Sequence, residues 1–355
     1  MRSNLIEKRG DTHQERTCAV DDIHQAARGM RLPRRQFLRL AAGAAAFSTR
    51  ASGVSAQTYP ARPITMIAPF SPGGAVDVIG RIIAERMRRS LGQPVTIENV
   101  GGADGIIGTG RAARAKADGY TIEIAGMTTH VLNGAFYSLP YDVSDDFAPI
   151  SPVAMTSLFL FARKTIGAKD ITELIDWLKV NSKPASAGVS AVSFHLLTAV
   201  LQKEAGARIT IVPYRGEALI MQDLVAGQID LAFATPIPLA LVRAGSIKAY
   251  AVASEARLAI APEIPTFRES GLPALSFANW YGLFAPKGTP KDILGRLNRA
   301  VVEALADAAV RSRLTELGFE IFPREEQTPE ALGSLVRAGV EKWWPIIKAL
   351  GIRAQ

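Results

Sequence analysis

The chain has 355 residues, 48% hydrophobic, 21% charged and 7% aromatic, which suits a globular body of two ordinary domains and excludes a disordered chain. No run of 18 uncharged apolar residues occurs, so no membrane-spanning helix is expected, and the single cysteine excludes a disulfide framework, a CxxC zinc site and an iron–sulfur cluster. The net charge of +8 is uneven: residues 1–56 hold 10 Lys/Arg and 5 Asp/Glu, the remainder 31 and 28, and the body shows no basic stripe interleaved with aromatics, so nucleic acid is not an expected partner.

The first 56 residues read as an export signal. Arg34-Arg35-Gln36-Phe37-Leu38-Arg39 resembles the twin-arginine motif and precedes a short apolar run, Leu40 to Phe47. Val54-Ser55-Ala56 offers a small-residue cleavage site before Gln57, and Arg50 suits the twin-arginine route. Pro33 departs from the usual Ser/Thr, and the segment before the arginines is long, so Met30 is the expected true start. Removing 1–56 also removes Cys18, in keeping with an oxidising compartment such as the periplasm.

From Tyr59 onward β-rich and helical stretches alternate, which predicts α/β architecture with parallel sheets. Ile64 to Ala68 reads as a buried strand. Val76, Ile79, Ile83 and Met87 then share a helical face that stops at Gly92. Strands follow at 95–98 and 120–125 around a helix over 104–117. Another helix is expected at 171–181, with strands at 209–213, 229–234 and 247–253. Thr289-Pro290 and Thr328-Pro329 each read as an N-cap followed by a first-turn proline, with Pro345 ending or kinking the last helix. Two apolar passages, 155–163 and 275–286, are candidate hinge strands. They divide the body into one domain of 57–160 plus 278–355 and a second of 161–277.

In open α/β sheets ligands sit beyond the carboxyl ends of the strands. Four loops there are notable: Pro69 to Asp77 with Gly73 and Gly74, Gly101 to Gly105, Thr128-Thr129-His130, and Ser186 to His195. Each alone is compatible with a tight turn. Together, ahead of helices whose free N–H groups favour an anion, they point to a carboxylate site. Asp77 reads as a support for its loop. Trp280 either lines the cleft or packs at the hinge, and Trp343 and Trp344 pack the last helix.

The string Pro69-Phe70-Ser71-Pro72-Gly73-Gly74-Ala75-Val76-Asp77 resembles the Bug family, the periplasmic binding proteins of tripartite tricarboxylate transporters. So do Leu91 to Val95, Asp118 to Thr121, Leu139 to Asp142, Asp146 to Pro149, Val212 to Gly216 and Gly282 to Pro290, in this order and spacing. The resemblance implies a two-domain periplasmic binding protein, type II-like, closing on a small di-, tri- or aromatic carboxylate about two crossing strands. It implies a monomer that serves the membrane subunits of such a transporter, with no cofactor. Carried over by motif, Ser71, Gly73 and Gly74 are the carboxylate cradle with Ala103, Asp104 and Gly105 beside it. Thr128, Thr129, Ser190, Ser193 and His195 are the remaining contacts by motif, His195 being either a ligand contact or a structural histidine; Thr235, in a loop that departs from the family pattern, is a further candidate. Many members of the family carry an acid in the loop after strand 229–233, where this chain has Ala234-Thr235-Pro236; with no acid to pair with an ammonium, an amino-acid ligand is disfavoured.

An enzyme is the competing reading, and the motifs oppose it. HExxH, GxSxG and the P-loop are absent, and Gly108 to Ala113 matches G-x-G-x-x-A only formally, inside an expected helix. A sensor subunit that presents its ligand to a signalling partner would have the same site chemistry. The leader makes its own prediction: N-terminal sequencing of periplasmic material begins near Gln57, and Arg34→Lys with Arg35→Lys traps the precursor inside. Exported protein that retains Arg34-Arg35 would contradict it.

Overall fold

Strand β1, Ile64–Ala68, shows how the fold divides its faces: Ile64, Met66 and Ala68 enter one hydrophobic core and Ile67 the other, as the two-residue period of a strand requires. The computed structural model describes residues 59–351. The export signal and its cleavage site lie outside the described residues.

After β1 come helix α1, Ala75–Leu91, strand β2, Val95–Asn99, helix α2, Ile106–Ala113, and strand β3, Thr121–Gly126. A wide helical turn, Thr128–Leu132, leads into the short α3, Asn133–Phe136. Strands β4, Phe147–Ser157, and β5, Phe159–Arg163, follow. Next come α4, Ile171–Val180, β6, Ala185–Val189, α5, Val192–Ala205, β7, Ile209–Pro213, α6, Glu217–Ala226, β8, Leu231–Ala234, α7, Leu239–Arg243, and β9, Ile247–Val252. The chain ends with β10, Ala278–Pro286, α8, Lys291–Ala306, α9, Ala308–Glu316, β11, Glu320–Ile321, and α10, Pro329–Leu350.

The strands form two sheets, ordered β11-β4-β10-β3-β1-β2 and β7-β6-β8-β5-β9. Both are mixed, which corrects the expectation of parallel sheets. β1 runs parallel to β2 and β3, and β6 to β7 and β8, but β10 is antiparallel to β3 and β4, and β5 to β8 and β9. The reversed strands stand where the chain changes sheet. Leu158 alone separates β4 of the first sheet from β5 of the second, and the return runs from β9 through Ala253 to Phe277 into β10. The two crossings are tied together: the Ala253 amide donates to the Leu158 carbonyl (2.8 Å), and the Phe277 amide to the Ala253 carbonyl (2.7 Å).

The expected stripe of α1 is buried at Ile79, Ile83 and Met87, and the helix stops as read, with Gly92 in the left-handed region (φ 70°) donating to the Arg88 carbonyl. Helix α2 ends at Ala113, short of the expected 117, because the chain must turn at Asp118-Gly119 (Gly119 φ 77°) to enter β3. Thr289 does not cap α8. Its hydroxyl donates to the Pro286 carbonyl, and Pro290 stands at the cap. Thr328 does cap α10, accepting from the Ala331 amide at 3.1 Å. Pro345 does not end that helix. The last turns are held in place by Trp344 Nε1 donating to the Val131 carbonyl (2.9 Å), by Trp343 edge-on to Phe277 and by buried Ile347.

One glycine fixes the floor of the loop after β1. A Cβ on Gly108 of α2 would lie 2.5 Å from the Val100 carbonyl oxygen and 2.8 Å from Pro69 Cα, so α2 approaches that loop backbone to backbone. Gly108→Ala is therefore expected to cost about 1–3 kcal/mol, seen as a fall in Tm of about 2–4 °C per kcal/mol in a thermal scan. An unchanged Tm would show that α2 can move off the loop freely.

Candidate functional site

Three helices start at one cleft between the two sheets. α1, α5 and α6 begin after Gly74, Ala191 and Gly216, all three line the cleft, and none has a side-chain cap. Each follows a strand of a parallel pair, β1, β6 or β7, so the first-turn N–H groups point at the strands' carboxyl ends, where an α/β sheet offers its ligand site. The aligned peptide dipoles place partial positive charge there. Ser71, Thr128, Ser190, Ser193, Glu217, Thr235, Asn279 and Tyr281 supply the polar lining around Phe70 and Phe194. Among the described residues, no Lys or Arg lines it.

Hydroxyl groups join the walls. Ser71 Oγ, beyond β1, donates to the Arg215 carbonyl beyond β7 (2.8 Å), and Thr128 Oγ1 donates to Ser193 Oγ (3.1 Å). Gly216 permits the first contact: a Cβ there would meet Ser71 Cβ at 2.9 Å. The free space in the cleft is about 50 Å³, room for a few waters and less than an organic acid fills, so the walls must part to admit one.

The predicted residues fall into three groups. Ser71, Gly74, Thr128, Ser190, Ser193 and Thr235 line the cleft together. Ala103, Asp104 and Gly105 line an adjoining recess of about 380 Å³, which shares Phe70 and Ser190 with the cleft and is walled by Tyr214 and Arg215. There the Asp104 carboxylate accepts from the Tyr137 hydroxyl, and its carbonyl from Asn133 Nδ2. Gly73, Thr129 and His195 are not cleft contacts. The Gly73 amide donates to Asp77 Oδ2 (3.0 Å), so it is already engaged; Asp77 supports the loop, as read. Hydrogen bonds from Arg81, the Gly73 amide and Asn99 outweigh burial and hold the Asp77 carboxyl below its usual range. Thr129 is fully buried, donating to the Gly126 carbonyl (3.3 Å) and facing His130 Nδ1 (3.0 Å). His195 packs its ring 6.0 Å from Phe136, and burial lowers its pKa against the opposing charge of Asp104. Gly74 has ordinary extended backbone (φ −82°), so its role is to leave the cleft open.

Strand parity explains Trp280. Asn279 and Tyr281 face the cleft, which sends Trp280 between them to the opposite face, where it packs toward Phe284. Asn279 Nδ2 donates to the Tyr281 hydroxyl (3.0 Å), which leaves that hydroxyl's own proton free to donate, while Asn279 Oδ1 is buried with no partner among the described residues. Behind the Thr128 wall, Glu123 and His130 are both fully buried with Glu123 Oε2 and His130 Nε2 unpaired at 3.6 Å. Burial raises the glutamate and lowers the histidine, so both are neutral.

The sequence reading missed Glu217. The loop after β8 holds no acid of its own, yet the Glu217 carboxylate reaches it from α6: Oε1 accepts from the Thr235 amide (3.2 Å) and hydroxyl (2.7 Å). The ground for disfavouring an amino-acid ligand is thereby removed.

The family model for the tripartite tricarboxylate transporter family receptor matches residues 79–352. The chain belongs to this family. Its fold is that of the periplasmic binding protein BugD, at 34% identity and a TM-score of 0.80, covering 83% of this chain and all of that one. MatC from Rhodopseudomonas palustris, solved with malate, matches at 33% identity and 0.78, over 81% of this chain and all of that one. A second R. palustris protein, solved with adipate, matches at 31% and 0.79, over 83% and all of that one. The curated relative BugT of Bordetella pertussis is 34% identical over 85% of this chain and 94% of its own length.

Glu217 makes stability depend on pH. Burial raises its pKa to about 7, against the lowering effect of the Thr235 hydrogen bonds. A carboxyl that is raised in the folded state favours folding below its unfolded value near 4.5, and that contribution is lost as pH climbs to about 7. Glu217→Gln keeps the acceptor for Thr235 and removes the titration. Relative to wild type it is expected to gain on the order of 3 kcal/mol between pH 4.5 and 8, read as Tm across that range. Parallel Tm curves would contradict the shift.

Proposed function

We propose that this chain is a periplasmic receptor that captures a small carboxylate for the membrane subunits of a tripartite tricarboxylate transporter. The observation that carries the reading is the meeting of three uncapped helix N-termini in a cleft with no cationic side chain. Such a site supplies N–H donors and partial positive charge for a carboxylate without a fixed counter-ion. Relatives solved with malate and adipate support the ligand class. BugD's periplasmic location supports removal of the leader near Ala56. Ser71, Gly74, Thr128, Ser190, Ser193 and Thr235 form the site, joined by Asn279, Tyr281 and Glu217. In this reading 57–160 with 278–355 and 161–277 are two lobes that part and close about the strand crossings at Leu158 and Ala253 to Phe277.

A thermal-shift screen of malate, adipate and a panel of mono-, di-, tricarboxylic and aromatic acids tests this. An acid at a hundredfold excess over its Kd adds about 2.7 kcal/mol, a rise of several degrees. Ser71→Ala is expected to weaken the best acid by about 0.5–1.5 kcal/mol through the lost bond to Arg215, whereas His195→Ala leaves its affinity unchanged. A panel with no stabilising acid would overturn the reading.

A further inference from the structure

We propose that Glu217 is a specificity-determining residue that meets the ligand carboxylate as a proton donor, so that capture takes up one proton and tightens as the pH falls. This rests on the reading of the cleft as a carboxylate site and adds the protonation state in which it works.

The hydrogen bonds assign the two oxygens. Thr235 directs both its amide (3.2 Å) and its hydroxyl (2.7 Å) to Oε1. An oxygen that accepts twice is the carbonyl side of a carboxylic acid, so a proton on this group sits on Oε2. No hydrogen bond from the described residues engages Oε2, and Glu217, only 8% exposed, lines the cleft. A protonated Glu217 therefore presents a donor to the same space at which the three helix N-termini aim their N–H groups.

The surroundings offer nothing that would keep a second negative charge there. Of the residues lining the cleft, only Glu217 and Tyr281 titrate. Tyr281 of β10 is held in its phenol form by burial and by the glutamate itself. On α1, Asp77 is turned to the Gly73 amide and Arg81. On α6, Asp223 is engaged by the Tyr214 hydroxyl. Arg215, just before α6, is exposed and faces the cleft wall with its carbonyl, which Ser71 occupies. The loop after β8 and the start of α5 bring only Thr235, Ser190, Ser193 and apolar groups to the lining. An ionised ligand carboxylate and an ionised Glu217 would thus be two like charges in one dehydrated cleft, where one of the pair keeps a proton. Burial already favours the protonated glutamate near neutral pH.

The opposite chemistry, an ionised Glu217 pairing with a ligand ammonium, gives the opposite pH dependence, and this separates the two. Calorimetry with adipate, malate and L-glutamate, from pH 5.5 to 9, is run on wild type and Glu217→Gln, whose amide keeps a donor and an acceptor but cannot titrate. In wild type the Kd of the diacids is expected to rise about tenfold per pH unit above about 7, and heats in buffers of different ionisation enthalpy report uptake of one proton. In Glu217→Gln both the pH slope and the proton uptake vanish while diacid binding persists. Equal slopes in the two proteins overturn the proposal and leave the carboxylate reading standing. L-glutamate binding that tightens with rising pH and is lost in Glu217→Gln overturns it in favour of an ammonium partner. Absence of stabilisation by any acid of the wider panel, in either protein at any pH, removes the carboxylate reading itself and this proposal with it. Should the Gln variant fail to fold, proton uptake by wild type near about pH 9, where free Glu217 is ionised, decides: none there on diacid binding refutes the donor.

Discussion

A helix that starts without a capping side chain leaves N–H groups in search of an acceptor, and here three such helices start at one place. Because α1, α5 and α6 each follow a strand of a parallel ladder, their free ends project beyond the same ends of their sheets. Gly74, Ala191 and Gly216 stand where Ser, Thr, Asn or Asp would satisfy those groups locally, at a typical gain of about 1 kcal/mol over Ala and a few tenths over Gly. The chain forgoes this, and the cost is offset only by an acceptor from outside. Helices α4 and α10, which begin elsewhere, carry side-chain caps from Asp170 and Thr328.

The loops that carry these helix ends are set by backbone contacts rather than long side chains. Gly108 seats α2 under the loop after β1, and Gly216 lets the loop after β7 meet Ser71 closely enough for one hydroxyl to bond across. Asp77 then fixes Gly73, directing the Pro69–Gly74 turn without adding charge to the lining. A cleft built this way is shaped by glycine and serine, which explains why its signature is compositional.

That signature was legible where it was local. The stripe of α1 and its stop at Gly92, the β–α loops and the Thr128 and Ser190–Ser193 segments could be read from spacing, because each depends on neighbours within a few residues. What depended on distant partners could not. Strand direction at β5 and β10 follows from the chain changing sheets, which no periodicity records. Glu217 looks like an ordinary acidic residue in a helix's first turn, and only Thr235, 18 residues on, shows that it is buried. Asn279 and Tyr281 were within reach of the alternation rule, which also decides between the two readings of Trp280 in favour of packing. Gly73 and Thr129 carried the right motif, and their polar groups are occupied by Asp77 and His130.

The two buried glutamates also alter the protein's proton inventory. The formal charge assumes that every carboxyl is ionised at pH 7. Burial raises the pKa of Glu123, beside neutral His130, and of Glu217, so both hold their protons to higher pH than an exposed carboxyl. The described body is therefore more positive near pH 7 than its composition declares. Near pH 9.7, the isoelectric point set by the sequence, Glu217 has ionised and its share of that excess is gone. Two carboxyls thus titrate where exposed ones are already ionised, while His130, whose pKa burial lowers, gives up no proton in that range.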